Sequence, residues 1–179
     1  PTFNTVTKDN QVLRETWHSK PPAFNAIHPR VKERVLGLVD ELATRHAKSP
    51  AFGGITFHLT KCQLLQLGGL EVSYDDWTIQ EFQKDTGTKL PIASQDPERF
   101  RKRHDWLLVN TKDRWLQWRC AKIADYYCEA ARILRSNRAD LELVLSLWAP
   151  SVAVPEVRKR WEQGERLVVQ NREGGVDPT

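Results

Sequence analysis

Residues 51–87 read AFGGITFHLTKCQLLQLGGLEVSYDDWTIQEFQKDTG, and the order of elements in that stretch decides the fold class. Ile55, Phe57 and Leu59 alternate with Thr56 and His58, the period-two pattern of a strand, and Gly53-Gly54 in front gives the backbone room to enter a sheet. A long loop of polar and aromatic residues follows. Asp75 or Asp76 can then cap a helix that runs to Thr86, and Gly87 ends it at the position favoured for a left-handed turn. Strand, long loop, helix is the order that parallel α/β architecture needs, and in βα-barrels the loops at the carboxyl ends of the strands build the site.

Outward from this stretch the rhythm continues. On the amino-terminal side Val31, Val35, Leu38, Val39 and Leu42 recur at helical spacing behind Pro29, which predicts an amphipathic helix over 29–47, stopped by Ser49-Pro50. Residues 1–22 show no sustained periodicity and read as irregular chain. On the carboxyl side a helix is expected from Asp96-Pro97, then a longer one over 112–137. In the longer one Leu116, Cys120, Ile123, Tyr127, Ala131 and Leu134 make one buried face. LELVLSLW at 141–148 reads as a second strand, Pro155 opens a helix to about 163, and Leu167-Val168-Val169 is a third strand. The expectation is a single α/β domain over 1–179 with parallel (β/α) barrel-type architecture and right-handed crossovers. A closed eight-stranded barrel takes about 250 residues. With 179 residues, and with GGVDPT directly after a strand, the chain reads as an incomplete TIM barrel fragment of a larger (β/α)8 domain.

Composition narrows the functional classes. The 27 basic and 23 acidic residues are mixed along the chain without a Lys/Arg block, so no nucleic-acid partner is expected; Arg99, Arg101, Lys102 and Arg103 read as a short solvated helix face. No run approaches the ~20 apolar residues of a membrane span. The first residues lack a signal peptide's charged and apolar regions, so a secreted or periplasmic location would require a leader on the parent protein. Cys62, Cys120 and Cys128 are odd in number and lack CxxC spacing, which points to buried thiols rather than a disulfide framework or a zinc site. Gly68-Gly69 is an ordinary turn signal rather than a phosphate-cradling loop, and neither metal nor cofactor is implied.

FNAIHPRVKERVLGLVDELATRHAKSPAFGGITFHLT, GLEVSYDDWTIQEFQKDTGTKLP, RFRKRHDWL and WLQWRCAKIADYY together resemble the middle of bacterial family-10-like glycosyl hydrolases, over residues 24–148. The resemblance rests on the spacing of several blocks. It implies a TIM-barrel glycosidase-like protein that acts on or binds a polysaccharide or oligosaccharide through two carboxyl groups. Neither strand here ends in the Asn-Glu pair that many relatives use for the general acid: the first ends His58-Leu59-Thr60, the second Leu147-Trp148-Ala149. The catalytic candidates are therefore the loop's own acidic residues.

Glycoside hydrolysis needs one carboxyl group to protonate the leaving oxygen and one to act as nucleophile or base, ~5 Å apart for retention and further apart for inversion. Glu71 and Asp76 are the catalytic candidates, set against plainer roles: a solvated loop residue for Glu71, and a helix cap for Asp75 or Asp76. His58 either faces a barrel mouth and binds a sugar hydroxyl or is a satisfied core histidine. Tyr74, Asp75, Trp77 and Trp148 complete the substrate-binding candidates, with Trp17 nearby, because flat aromatic faces stack on pyranose rings. Trp106, Trp115, Trp118 and Trp161 fall on helices and read as packing. Arg119 is either a buried guanidinium paired with a carboxylate or half of a surface ion pair. The alternative from another class is a non-catalytic carbohydrate-binding or scaffold domain.

Overall fold

The computed structural model describes residues 3–13, 23–59, 65, 67–147, 167–171 and 175–176. It is a mixed α/β structure. Its elements in chain order are α1 (Pro29–His46), β1 (Gly54–Leu59), α2 (Asp76–Thr86), α3 (Arg99–Asn110), α4 (Lys112–Asn137), β2 (Glu142–Leu147), β3 (Leu167–Asn171) and β4 (Gly175–Val176). They divide between two compact units, one made of residues 1–31 and 61–119, the other of residues 32–60 and 120–179. Trp17, Cys62, Trp148, Trp161 and the helix expected from Pro155 lie outside the described residues.

The second unit holds the sheet, in the order β1-β2-β3-β4. β1 pairs with β2 in parallel, Ile55 opposite Leu143 and His58 opposite Ser146, and β2 pairs in parallel with β3. β4 is antiparallel to β3, a departure from the all-parallel expectation, and the described sheet runs from β1 to β4 without closing into a barrel. Alternation sets the faces: Phe57, Leu59, Leu143 and Leu145 are buried, while Thr56 and His58, which point the other way, are exposed. Phe57 packs against Tyr126 and Tyr127 of α4, with ring centroids 6.4 and 6.3 Å away. Gly54 has φ +148°, and a Cβ there would lie 2.0 Å from the Glu142 carbonyl oxygen, so the close approach at the start of β1 requires glycine.

Helix α1 buries Val31, Val35 and Val39 as its spacing predicts, but Leu38 and Leu42 stay exposed and Leu36 and Ala43 are buried instead. The buried stripe is thus rotated relative to the expected one. Just beyond α1, the Arg138 guanidinium donates to the carbonyls of Ala47, Ser49 and Phe52, at 2.8, 2.9 and 2.5 Å. One side chain thus ties together three carbonyls of the segment that joins α1 to β1. Within α4, Ile123, Tyr127, Ala131 and Leu134 are buried, whereas Leu116 and Cys120 are only partly so.

The first unit packs α2, α3 and the opening turns of α4 around Phe82, Phe100, Leu107 and Trp115. Trp115 is fully buried, edge-on to Phe82 at 5.0 Å and stacked on Trp118 at 5.4 Å. The start of the chain is more ordered than its composition suggests. Antiparallel bridges join Asn4 to Phe24, Val6 to Val12 and Thr7 to Val72, and Thr5 and Val6 are buried. Residues 3–13 therefore pair rather than wander.

Candidate functional site

The acidic loop meets α2 at a hydrogen-bonded cap. Asp75 Oδ1 accepts from the Thr78 amide at 3.0 Å, and Oδ2 accepts from the Thr78 hydroxyl at 2.7 Å. The Asn25 amide donates 2.8 Å to the Thr78 hydroxyl, closing a buried ring of polar groups. Asp75 is thus the N-cap and Asp76 the first helical residue, and the Gly87 amide bonds back to the Gln83 carbonyl at φ +68°. Burial pushes the Asp75 carboxyl above its ordinary value, opposed by the Thr78 hydrogen bonds.

Asp76 faces two guanidinium groups from α3. Arg99 Nε lies 3.0 Å and Arg103 Nη1 2.7 Å from its Oδ1. Partial burial works against ionising Asp76, but the hydrogen bonds from Arg99 and Arg103 outweigh it and lower its pKa. Arg103 is only 4% exposed, donates to the Tyr74 carbonyl at 3.0 Å and lies 5.8 Å over the Phe100 ring. The cluster read as a solvated helix face is therefore corrected at Arg103: a buried guanidinium keeps its charge, so it must sit against acceptors. Phe100, Arg103 and Leu107, at steps of three and four, carried that signal in the sequence.

The other sites fall as follows. Glu71 is exposed at 63%, with Lys8 Nζ 2.5 Å from one oxygen and His104 Nε2 3.8 Å from the other. Its carboxyl is held below the ordinary value, first by the Lys8 hydrogen bond. Tyr74 is a core residue, fully buried, its hydroxyl donating to the Leu70 carbonyl and its ring 6.0 Å from Trp115. Burial raises its hydroxyl to about 12. Trp77 is half-buried, its ring 5.1 Å from His28. His58 is exposed on β1 in the second unit, outside the core. Arg119 is buried and donates to the carbonyls of Gly68 and Gly69, a backbone role that its position alone did not indicate. Glu71 and Asp76 are not brought onto shared partners: the first pairs with Lys8, the second with Arg99 and Arg103.

Among the described residues no group of three His, Cys, Asp or Glu side chains is placed to hold a metal ion, and no helix is long and apolar enough to cross a membrane. No family model, curated protein or solved structure matches the chain.

The adjacent aspartates give opposite acid dependences. Asp76, with its pKa lowered in the fold, contributes stability that is present above the ordinary aspartate value of 3.8 and lost as pH falls below it. Asp75, with its pKa raised, costs stability as pH rises from 3.8 through its folded value. In Asp76→Asn the melting temperature at neutral pH should fall by several degrees, and the loss of stability below about pH 4 should flatten. Thermal melts of both proteins across the acid range check this.

Proposed function

We propose that this chain is part of a glycoside-hydrolase-like α/β protein that acts on or binds a polysaccharide at the carboxyl ends of parallel strands, built as an incomplete (β/α) barrel. Two things support the reading: the four sequence blocks, and three strands, β1, β2 and β3, that are parallel neighbours in chain order. The observation that carries the chemistry is the exposure of Glu71. Of the three carboxyl groups after β1, Asp75 is sealed into a cap and Asp76 is clasped by two arginines, while Glu71 keeps a solvent-facing, ionised carboxylate on Lys8. An ionised carboxylate suits the nucleophile or base role, not the acid. Half-buried Trp77, in the same unit as Glu71, remains a substrate-binding candidate.

The non-catalytic carbohydrate-binding or scaffold reading is favoured by the same accounting, because Asp75 and Asp76 are committed to holding α2 and leave Glu71 unmatched within the loop. Glu71→Gln separates the two, and it avoids Asp76, whose loss would also strand Arg103. In an enzyme, reducing-end release from a panel of soluble polysaccharides should drop about 10²–10⁴-fold with the melting temperature little changed. A binder keeps its polysaccharide affinity in the variant and shows no turnover in either form. If the parent protein neither binds nor cleaves the panel, both readings fall.

A further inference from the structure

A cleft of about 210 Å³ opens in the first unit, between the turn at residues 7–11 and the start of α3. Its apolar lining is Pro97 and Phe100; its charged lining sets Lys8 and Arg101 against Asp9 and Glu98, and Asn10 adds a neutral amide. The volume is below the ~300–1,000 Å³ of pockets that enclose drug-sized molecules, and it suits a single ring. Local hydrogen bonds hold both walls. The Thr7 hydroxyl accepts from the amides of Asp9 and Gln11, at 3.3 and 3.2 Å, and the Thr7 amide donates to the Gln11 carbonyl at 2.8 Å. Asn10 sits at φ +59°, a left-handed position that asparagine tolerates. Across the cleft, Asp96 Oδ1 accepts from the Glu98 amide at 2.8 Å, and Lys102 Nζ lies 2.6 Å from Asp96 Oδ2.

Much of this polar lining is uncommitted. Among the described residues the Asn10 side chain makes no hydrogen bond, Asp9 engages Arg101 through Oδ1 alone, and Glu98 uses only Oε2, 3.3 Å from Lys102. The Arg101 guanidinium spends Nη2 on Asp9 and keeps its other N–H groups. Spare acceptors and spare donors therefore stand side by side. Asp9 and Glu98 oppose an anion, Lys8 and Arg101 oppose a cation, and two apolar residues are too few to hold a hydrocarbon. A hydroxyl both donates and accepts, so a neutral ring that carries several hydroxyls can use every one of these groups.

We propose that this cleft is a saccharide subsite that takes one neutral sugar ring, with Asp9, Asn10, Glu98 and Arg101 hydrogen-bonding its hydroxyls. Lys8 joins the cleft to the exposed carboxylate: it lines the cleft, and its Nζ lies 2.5 Å from Glu71 Oε2. The subsite, which rests on the polysaccharide reading, puts the glycan beside Glu71 and draws its contacts from the 7–11 turn and α3 rather than from Tyr74, which is sealed in the core.

Titration of the full chain with neutral tetrasaccharides of glucose, xylose, mannose and N-acetylglucosamine, followed by NMR, tests this. The backbone amides of Asp9, Asn10, Phe100 and Arg101 should shift saturably with at least one of them. In Asn10→Gly, which keeps the left-handed backbone, and in Arg101→Ala the dissociation constant should rise about threefold or more. Both positions are exposed, so either variant decides the matter if the other does not fold. Saturable shifts confined to other residues, or an affinity unchanged in both variants, overturn the subsite and leave the polysaccharide reading standing. Inorganic phosphate that moves the same amides while the sugars do not marks an anion site and overturns the proposal. No shift with any of the four sugars also overturns it, whereas the polysaccharide reading falls only if the polymers themselves are neither bound nor cleaved.

Discussion

Gly54→Ala should cost the protein about 3 kcal/mol or more, enough to move its urea midpoint far below that of the parent. Two independent penalties meet at this residue. Its φ of +148° is a conformation that side chains rarely adopt, and an added Cβ would sit 2.0 Å from the Glu142 carbonyl oxygen. That oxygen belongs to backbone inside a paired strand, in register with Gly54 itself, so it has no room to retreat without breaking the β1–β2 ladder. Gly53→Ala is the control. Nothing lies within 4 Å of a Cβ at Gly53, and its φ is not in the positive range, so its urea midpoint should stay close to that of the parent. Equal midpoints for the two variants would mean that the Gly54–Glu142 register is wrong.

Trp115→Ala should be comparably severe, about 3–5 kcal/mol for removing a fully buried tryptophan. The indole is the hub of an aromatic cluster: Phe82 meets it edge-on, Trp118 lies nearly parallel at 13°, Tyr74 stacks at 6.0 Å, and the Arg119 guanidinium sits 5.5 Å over it. The neighbours come from three parts of the first unit: Tyr74 from the loop, Phe82 from α2, and Trp118 and Arg119 from α4 itself. A cavity at 115 would therefore loosen all of them at once. Chemical denaturation gives the cost, and near-ultraviolet circular dichroism reports the loss of fixed aromatic packing. A cost under about 1 kcal/mol would place Trp115 outside the core.

The elements legible in the sequence are those whose signals are local. α2 could be read to within one residue at its start and to the residue at its end, because its cap, first turn and terminal glycine lie close together, and the structure has Asp75 capping and Gly87 in the left-handed region. The period of two in β1 and the long apolar stripe of α4 were similarly direct. What escaped depends on partners distant in sequence. The bridges at Asn4, Val6 and Thr7 pair short stretches with too little alternation to register as strands. The exposure of Leu38 and Leu42 follows from what packs on α1, which hydrophobic spacing cannot specify. Of the site candidates, a capping role for Asp75 or Asp76 was legible from position, and the structure assigns it to Asp75. Burial of Tyr74 was not, because an aromatic in a loop has the same local pattern on a surface as in a core, and burial of Arg103 shows only in its spacing from Phe100 and Leu107.

The two compact units are interleaved along the polypeptide, each taking one stretch from the amino-terminal third and another from beyond it. No single cleavage point can therefore excise either of them intact. A break between Arg119 and Cys120 would leave the first unit complete but still joined to α1 and β1, now deprived of β2, while the released piece would carry β2 and β3 without β1. Attempts to divide this molecule would have to circularly rearrange the chain or supply both pieces together.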